Sequence, residues 1–184
     1  MTTPTQLEPL AVPAVQDGAP ATFPAGLPAD LEHTLQQAQA RLQHGPYAGA
    51  VTPQEAYALL QQGAQGDAKI RLIDVRTNAE RDWVGRVALP EQQHGAVQWS
   101  TYPGGAVNPD FVEQLAATGA GKDDVLLFLC RSGVRSRHAA KLASEHGFAQ
   151  SYDILEGFEG DKDGEGHRKT VGGWCQAGLP WVGA

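Results

Sequence analysis

Residues Val125–Ser136 read VLLFLCRSGVRS. Five apolar residues follow one another without a polar break, the pattern of a strand buried on both faces. The run stops at Cys130. Arg131, Ser132, Gly133, Val134 and Arg135 then make a compact loop, and Ser136–His146 has helical character, closed by Gly147. A strand therefore delivers a thiol to the start of a helix. Backbone N–H groups of such a loop, the positive end of the helix and nearby guanidinium groups all favour an anion there and the ionised form of the sulfur. Gly133 supplies the tight backbone turn.

The neighbouring segments extend this reading. Ile70–Val75 reads as a second buried strand, Ala96–Trp99 as a short one and Tyr152–Leu155 as the last. Between them lie helical signals. Thr52-Pro53-Gln54-Glu55 is a capping box with proline at the first helical position, opening a helix to about Gln62 that Gly63 stops. A short helix is expected over Asn78–Trp83, and Asn108-Pro109 repeats the cap-then-proline signal before a helix to about Ala117. Near Thr170–Trp181 a short helix and two tryptophans are placed to cover the sheet. Uniformly apolar strands alternating with helices predict an α/β fold with a central, mostly parallel sheet flanked by helices on both faces. Sites in such sheets lie at the carboxyl ends of the strands, where Cys130 falls.

The N-terminal part is different. Residues 1 to about 28 are rich in Pro, Ala and Thr without periodicity and are expected to be a flexible arm. Leu31, Leu35 and Leu42 then mark one face of a helix, with Asp30 as its N-cap and His44-Gly45-Pro46 as its end. The expected organisation is an extension over residues 1–45 and a domain over 46–184.

The 184-residue chain carries a formal net charge of -7, which speaks against nucleic acid or an anionic membrane as partner. Arg131, Arg135 and Arg137 cluster against that background, so a small anionic ligand is expected. Two cysteines, Cys130 and Cys175, are too few for a disulfide scaffold. No basic-then-apolar leader and no bilayer-length apolar run is present, and the expected address is the cytoplasm. The six histidines lack ligand spacing, and Asp161–Glu165 lacks the pattern of a calcium loop, so neither metal nor cofactor is expected.

The loop Cys130–Arg135 resembles the active-site loop of rhodanese-like sulfurtransferases, a cysteine opening a six-residue loop. Other marks follow in that family's order: Leu72-Ile73-Asp74-Val75-Arg76 with Glu80 after it, Gly95-Ala96-Val97, Leu155-Glu156-Gly157-Phe158, and Trp174 through Leu179-Pro180-Trp181. The resemblance runs from about Val51 to Trp181. The family's Gly-His-Ile-rich stretch is here Gly85-Arg86-Val87, with a longer insert to His94. The resemblance implies a rhodanese-like fold and a ping-pong reaction. Cys130 would take the outer sulfur of a donor such as thiosulfate as a persulfide, and cyanide or a thiol, including a protein thiol, would accept it. Arg131 and Arg135 would orient the anionic donor, and the backbone of Ser132, Gly133 and Val134 would hold the sulfur.

Two other readings have a physical basis. Cysteine-dependent phosphate or arsenate chemistry needs an arginine six positions after the cysteine, and Ser136 stands there instead. A non-catalytic rhodanese-like binding or regulatory module is the second, although such modules often lack the cysteine. Arg137, one turn into the helix, reads equally as a surface residue. Asp74 reads as a hydrogen-bond hub at a strand end, and Cys175, beside Trp174, as a packed thiol rather than a partner of Cys130.

Overall fold

The computed structural model describes residues 23, 27–43, 45–66 and 69–183. Most of the arm expected over residues 1–28, and His44, lie outside the described residues.

Five parallel strands form the sheet. They are β1 (Gly49–Val51), β2 (Ile70–Asp74), β4 (His94–Ala96), β5 (Val125–Leu129) and β6 (Ser151–Ile154), in the order β1-β6-β5-β2-β4. The most apolar strand, β5, is the middle one, paired with β2 from Ile70↔Val125 to Asp74↔Leu129. Its alternate side chains enter two separate cores. Val125, Leu127 and Leu129 face one, with Leu31 and Leu35 of α1 (Ala29–Leu42), Leu59 and Leu60 of α2 (Pro53–Gly63), and Trp174 of α6 (Gly173–Gln176). Leu126, Phe128 and Cys130 face the other, with Phe111 and Leu115 of α4 (Phe111–Ala117), and Ala139, Ala140 and Ala143 of α5 (Val134–Glu145). Two-sided burial explains the unbroken apolar run. A two-stranded antiparallel ribbon, β3 (Arg86–Val87) with β7 (Trp181–Val182), lies beside the sheet. Among the described residues no helix is long and apolar enough to cross a membrane.

The expected capping box is present. The Thr52 hydroxyl accepts from Glu55 N, and the Glu55 carboxylate accepts from Thr52 N. Glu55 also takes a two-pronged bond from Arg41, at 2.6 Å on each arm, which fastens α1 to the start of α2. The expected helix at 31–42 thus packs on the domain, and Leu27 and Phe23 join the same core.

Several local expectations shift. Asp30 caps nothing: α1 starts after Pro28, with no side-chain cap. The strand expected at Ala96–Trp99 is β4, two residues earlier, although Val97 and Trp99 still donate to the Asp74 and Val75 carbonyls. Asn108 makes a turn, its side-chain oxygen accepting from Asp110 N, and α4 begins only at Phe111. Most consequential for the site, α5 begins at Val134, so Arg135 belongs to its first turn rather than to a loop.

Candidate active site

Cys130 follows the last residue of β5 and is 1% exposed. Its sulfur accepts a hydrogen bond from Gly133 N at 3.1 Å and lies 3.4 Å from the Ser136 hydroxyl. Gly133 caps α5 with φ 85°, a left-handed conformation that suits glycine. This conformation turns its N–H back onto the sulfur and aims the 12-residue α5 at the thiol by its positive end. Ser136 is fully buried and reaches the sulfur from the first turn of the same helix. The sequence pattern alone does not single it out. Its signal is a hydroxyl six positions after the cysteine.

A second loop holds the first in place. Phe158 N donates to the Cys130 carbonyl at 2.8 Å, and Glu159 N to that of Arg131 at 2.9 Å. Glu156 and Gly157 reach this contact with φ of 63° and 65°. A Cβ at Gly157 would stand 2.5 Å from the Cys130 oxygen and 2.7 Å from Ser132 N, so only glycine allows the two backbones to meet. Behind it, Trp174 N and Cys175 N donate to the Gly157 and Phe158 carbonyls. The Leu155–Phe158 turn is therefore sandwiched between the cysteine loop and α6.

The arginines divide in role. Arg131 is exposed and has no side-chain partner among the described residues. Arg135 donates Nη1 and Nη2 to the two oxygens of Glu80, at 2.8 and 2.6 Å. Arg137 is mostly exposed, 3.8 Å from the buried Asp153 carboxylate. Burial opposes the Glu80 charge, but the bonds from Arg135 and Thr77 outweigh it and hold the carboxyl at about 2. Burial likewise opposes the Arg135 charge, yet Glu80 keeps it firmly protonated. Val134 stands 58% exposed at the helix start. Trp99 stacks on His138 of α5, 6.1 Å between rings, and brings the Trp99–Asn108 hairpin beside that helix.

Asp74 is the hub expected of it. It is fully buried and accepts Arg76 N and both Nε and Nη2 of the Arg76 side chain. Arg76, also fully buried, donates onward to the Gly85 carbonyl and stacks 3.9 Å over Phe158. Through Phe158, whose N–H bonds the Cys130 carbonyl, this pair supports the turn behind Cys130. Cys175 belongs to the opposite core from Cys130, and burial pushes its thiol up to about 11. No metal-ligating cluster occurs among the described residues.

A buried thiol at the carboxyl end of a parallel sheet, met by a backbone amide and a hydroxyl at a helix start, defines a cysteine-loop α/β protein. The profile of the rhodanese-like domain matches residues 52–163, and the chain belongs to the rhodanese-like family. An uncharacterized protein of Rickettsia conorii, RC0915, is 33% identical over 112 residues, 60% of this chain and 80% of that protein. The thiosulfate sulfurtransferase GlpE of Haemophilus influenzae is 29% identical over 135 residues, 71% and 90% of the two chains. Among solved structures, Rv0390 from M. tuberculosis superposes with a TM-score of 0.64 at 38% identity, covering 75% of this chain and 99% of its own. The polysulfide-sulfur transferase homodimer from Wolinella succinogenes shares the fold, with a TM-score of 0.52 at 21% identity over 85% and 89% of the chains. With sulfurtransferases among its relatives, the chain is a transferase at the level of the family.

Proposed function

We propose that this protein transfers sulfane sulfur from a small anionic donor of the thiosulfate type to a thiophilic acceptor, through a persulfide on Cys130. The observation that carries the reading is the pair of contacts on the sulfur, the Gly133 amide donating at 3.1 Å and the Ser136 hydroxyl at 3.4 Å, at the positive end of α5. The Cys130 thiolate attacks the outer sulfur of thiosulfate. The donor's S–S bond breaks, its electron pair leaves with sulfite, and a Cys130 persulfide remains. Cyanide or a thiolate then attacks the terminal sulfur, and the Cys130 thiolate is regenerated. The loop amides, Gly133 foremost, and Ser136 stabilise the charge on sulfur at each step. Arg131, exposed and without a side-chain partner among the described residues, meets the donor; Arg135, held by Glu80, contributes its charge from the side. The similarity to a thiosulfate sulfurtransferase supports the choice of donor class. We place the working domain at residues 46–184, with α1 as an accessory helix of the 1–45 extension.

The geometry disfavours phosphate chemistry. That chemistry needs a guanidinium where Ser136 stands, and Ser136 is buried against the sulfur. Intact mass after incubation with thiosulfate tests the proposal. One added sulfur is expected in the wild type and in Cys175→Ser, and none in Cys130→Ser. Sulfur uptake by Cys130→Ser would refute it.

A further inference from the structure

Glu80 sits at the third position of α3 (Asn78–Trp83) and does two things at once. It completes a capping box, with Glu80 N donating to the Thr77 hydroxyl and Thr77 N donating to Oε2. The Thr77 hydroxyl donates to the same oxygen. The carboxylate also receives the full fork of Arg135, 55 residues away. Arg135 is flanked in sequence by the two groups that touch the sulfur, Gly133 two residues before it and Ser136 one after. A two-pronged charge-assisted bond fixes distance and plane together, which a single bond does not. The clamp therefore fixes the first turn of α5, and with it both sulfur contacts, relative to a helix outside the cysteine loop.

We propose that Glu80 is a positioning residue for Cys130, acting through Arg135. The proposal rests on the sulfur-transfer reading for its biological meaning but not for its test. Glu80→Gln preserves the capping box, because glutamine serves in that position, but loses the charge-assisted fork. Removing the negative charge would by itself favour the ionised sulfur. Loosening Arg135 acts the other way, on the amide, the hydroxyl and the guanidinium together, and outweighs it.

The experiment is a double-mutant cycle of Glu80→Gln and Arg135→Ala in a Cys175→Ser background. It follows the rate of Cys130 alkylation by iodoacetamide at neutral pH and the kinetics of sulfur uptake from thiosulfate. Glu80→Gln is expected to slow alkylation about tenfold when Arg135 is present and by less than about twofold when it is combined with Arg135→Ala. Sulfur uptake should lose rate at saturating donor more than it gains in KM, because Arg131 still meets the donor. Equal slowing with and without Arg135→Ala would mean a general structural role and overturn the proposal. So would alkylation at the wild-type rate in Glu80→Gln. A protein that takes no sulfur from thiosulfate, yet shows the expected alkylation cycle, would refute the donor and leave Glu80 as assigned.

Discussion

Replacing Gly157 with alanine tests the contact that holds the cysteine loop. The added Cβ would meet three backbone atoms, 2.5 Å from Cys130 O, 2.6 Å from Arg131 C and 2.7 Å from Ser132 N. None is the end of a flexible side chain, so relief requires the two loops to part. Parting breaks the Phe158 N and Glu159 N bonds to Cys130 and Arg131, worth about 1 kcal/mol each. Holding alanine at φ 65° adds roughly 1–2 kcal/mol. The expected loss is about 3–4 kcal/mol, a fall of about 1–4 M in the urea midpoint. Slower alkylation of Cys130 should accompany it. Two controls separate the causes. Gly178 has φ 69° and open space around it, so Gly178→Ala carries the backbone cost alone. Gly164 has neither constraint, and Gly164→Ala should be neutral. A Gly157→Ala protein as stable as Gly178→Ala, with wild-type alkylation, would refute the reasoning.

Further outcomes follow from buried charge. Asp153 is fully buried, accepts the Tyr47 hydroxyl at 2.9 Å and faces Arg137. Burial raises its carboxyl to about 6, from 3.8 in the unfolded chain. The native state then binds the proton more tightly, so this group's contribution is complete below pH 4 and is lost as pH rises through 6. Asp153→Asn should raise the melting temperature at pH 8, by up to about 3 kcal/mol of stability, and leave it unchanged near pH 4. An equal gain at both pH values would contradict this. Asp74→Asn leaves the fully buried Arg76 without its countercharge and should cost about 3–5 kcal/mol, read by urea denaturation. Glu80, held at about 2, contributes stability above pH 4.5 that is lost as pH falls towards 2. The melting temperature should therefore fall less between pH 4.5 and pH 2 in Glu80→Gln than in wild type.

What the sequence disclosed was whatever leaves a local imprint. The five-residue apolar run of β5 announces two-sided burial, the Thr52–Glu55 spacing announces its helix, and Asp74 at a strand end announces a hub. Three kinds of feature leave no such imprint. Strand β1 is three residues, Gly49-Ala50-Val51, too short for any period to register. The β3–β7 ribbon joins segments nearly a hundred residues apart. The two-pronged bond between Glu80 and Arg135 is also long-range: the glutamate shows as a capping residue, whereas its tertiary partner is set by the fold. That bond changes the reading of Arg135, which pattern alone presents as a free cation in the loop. Ser136 was visible only as the residue that is not an arginine.

The division of the cysteines between two cores bears on how the protein meets oxidants. Phe158 lies between them, its N–H on the Cys130 carbonyl and its own carbonyl on Cys175 N, and the side chains turn into different cores. A disulfide needs converging Cβ vectors, and side chains that pack in different cores do not supply them. Under the proposed reaction, a persulfide on Cys130 would then have no second thiol of the same chain to discharge it, and its decay would be second order in whatever external nucleophile reaches the loop.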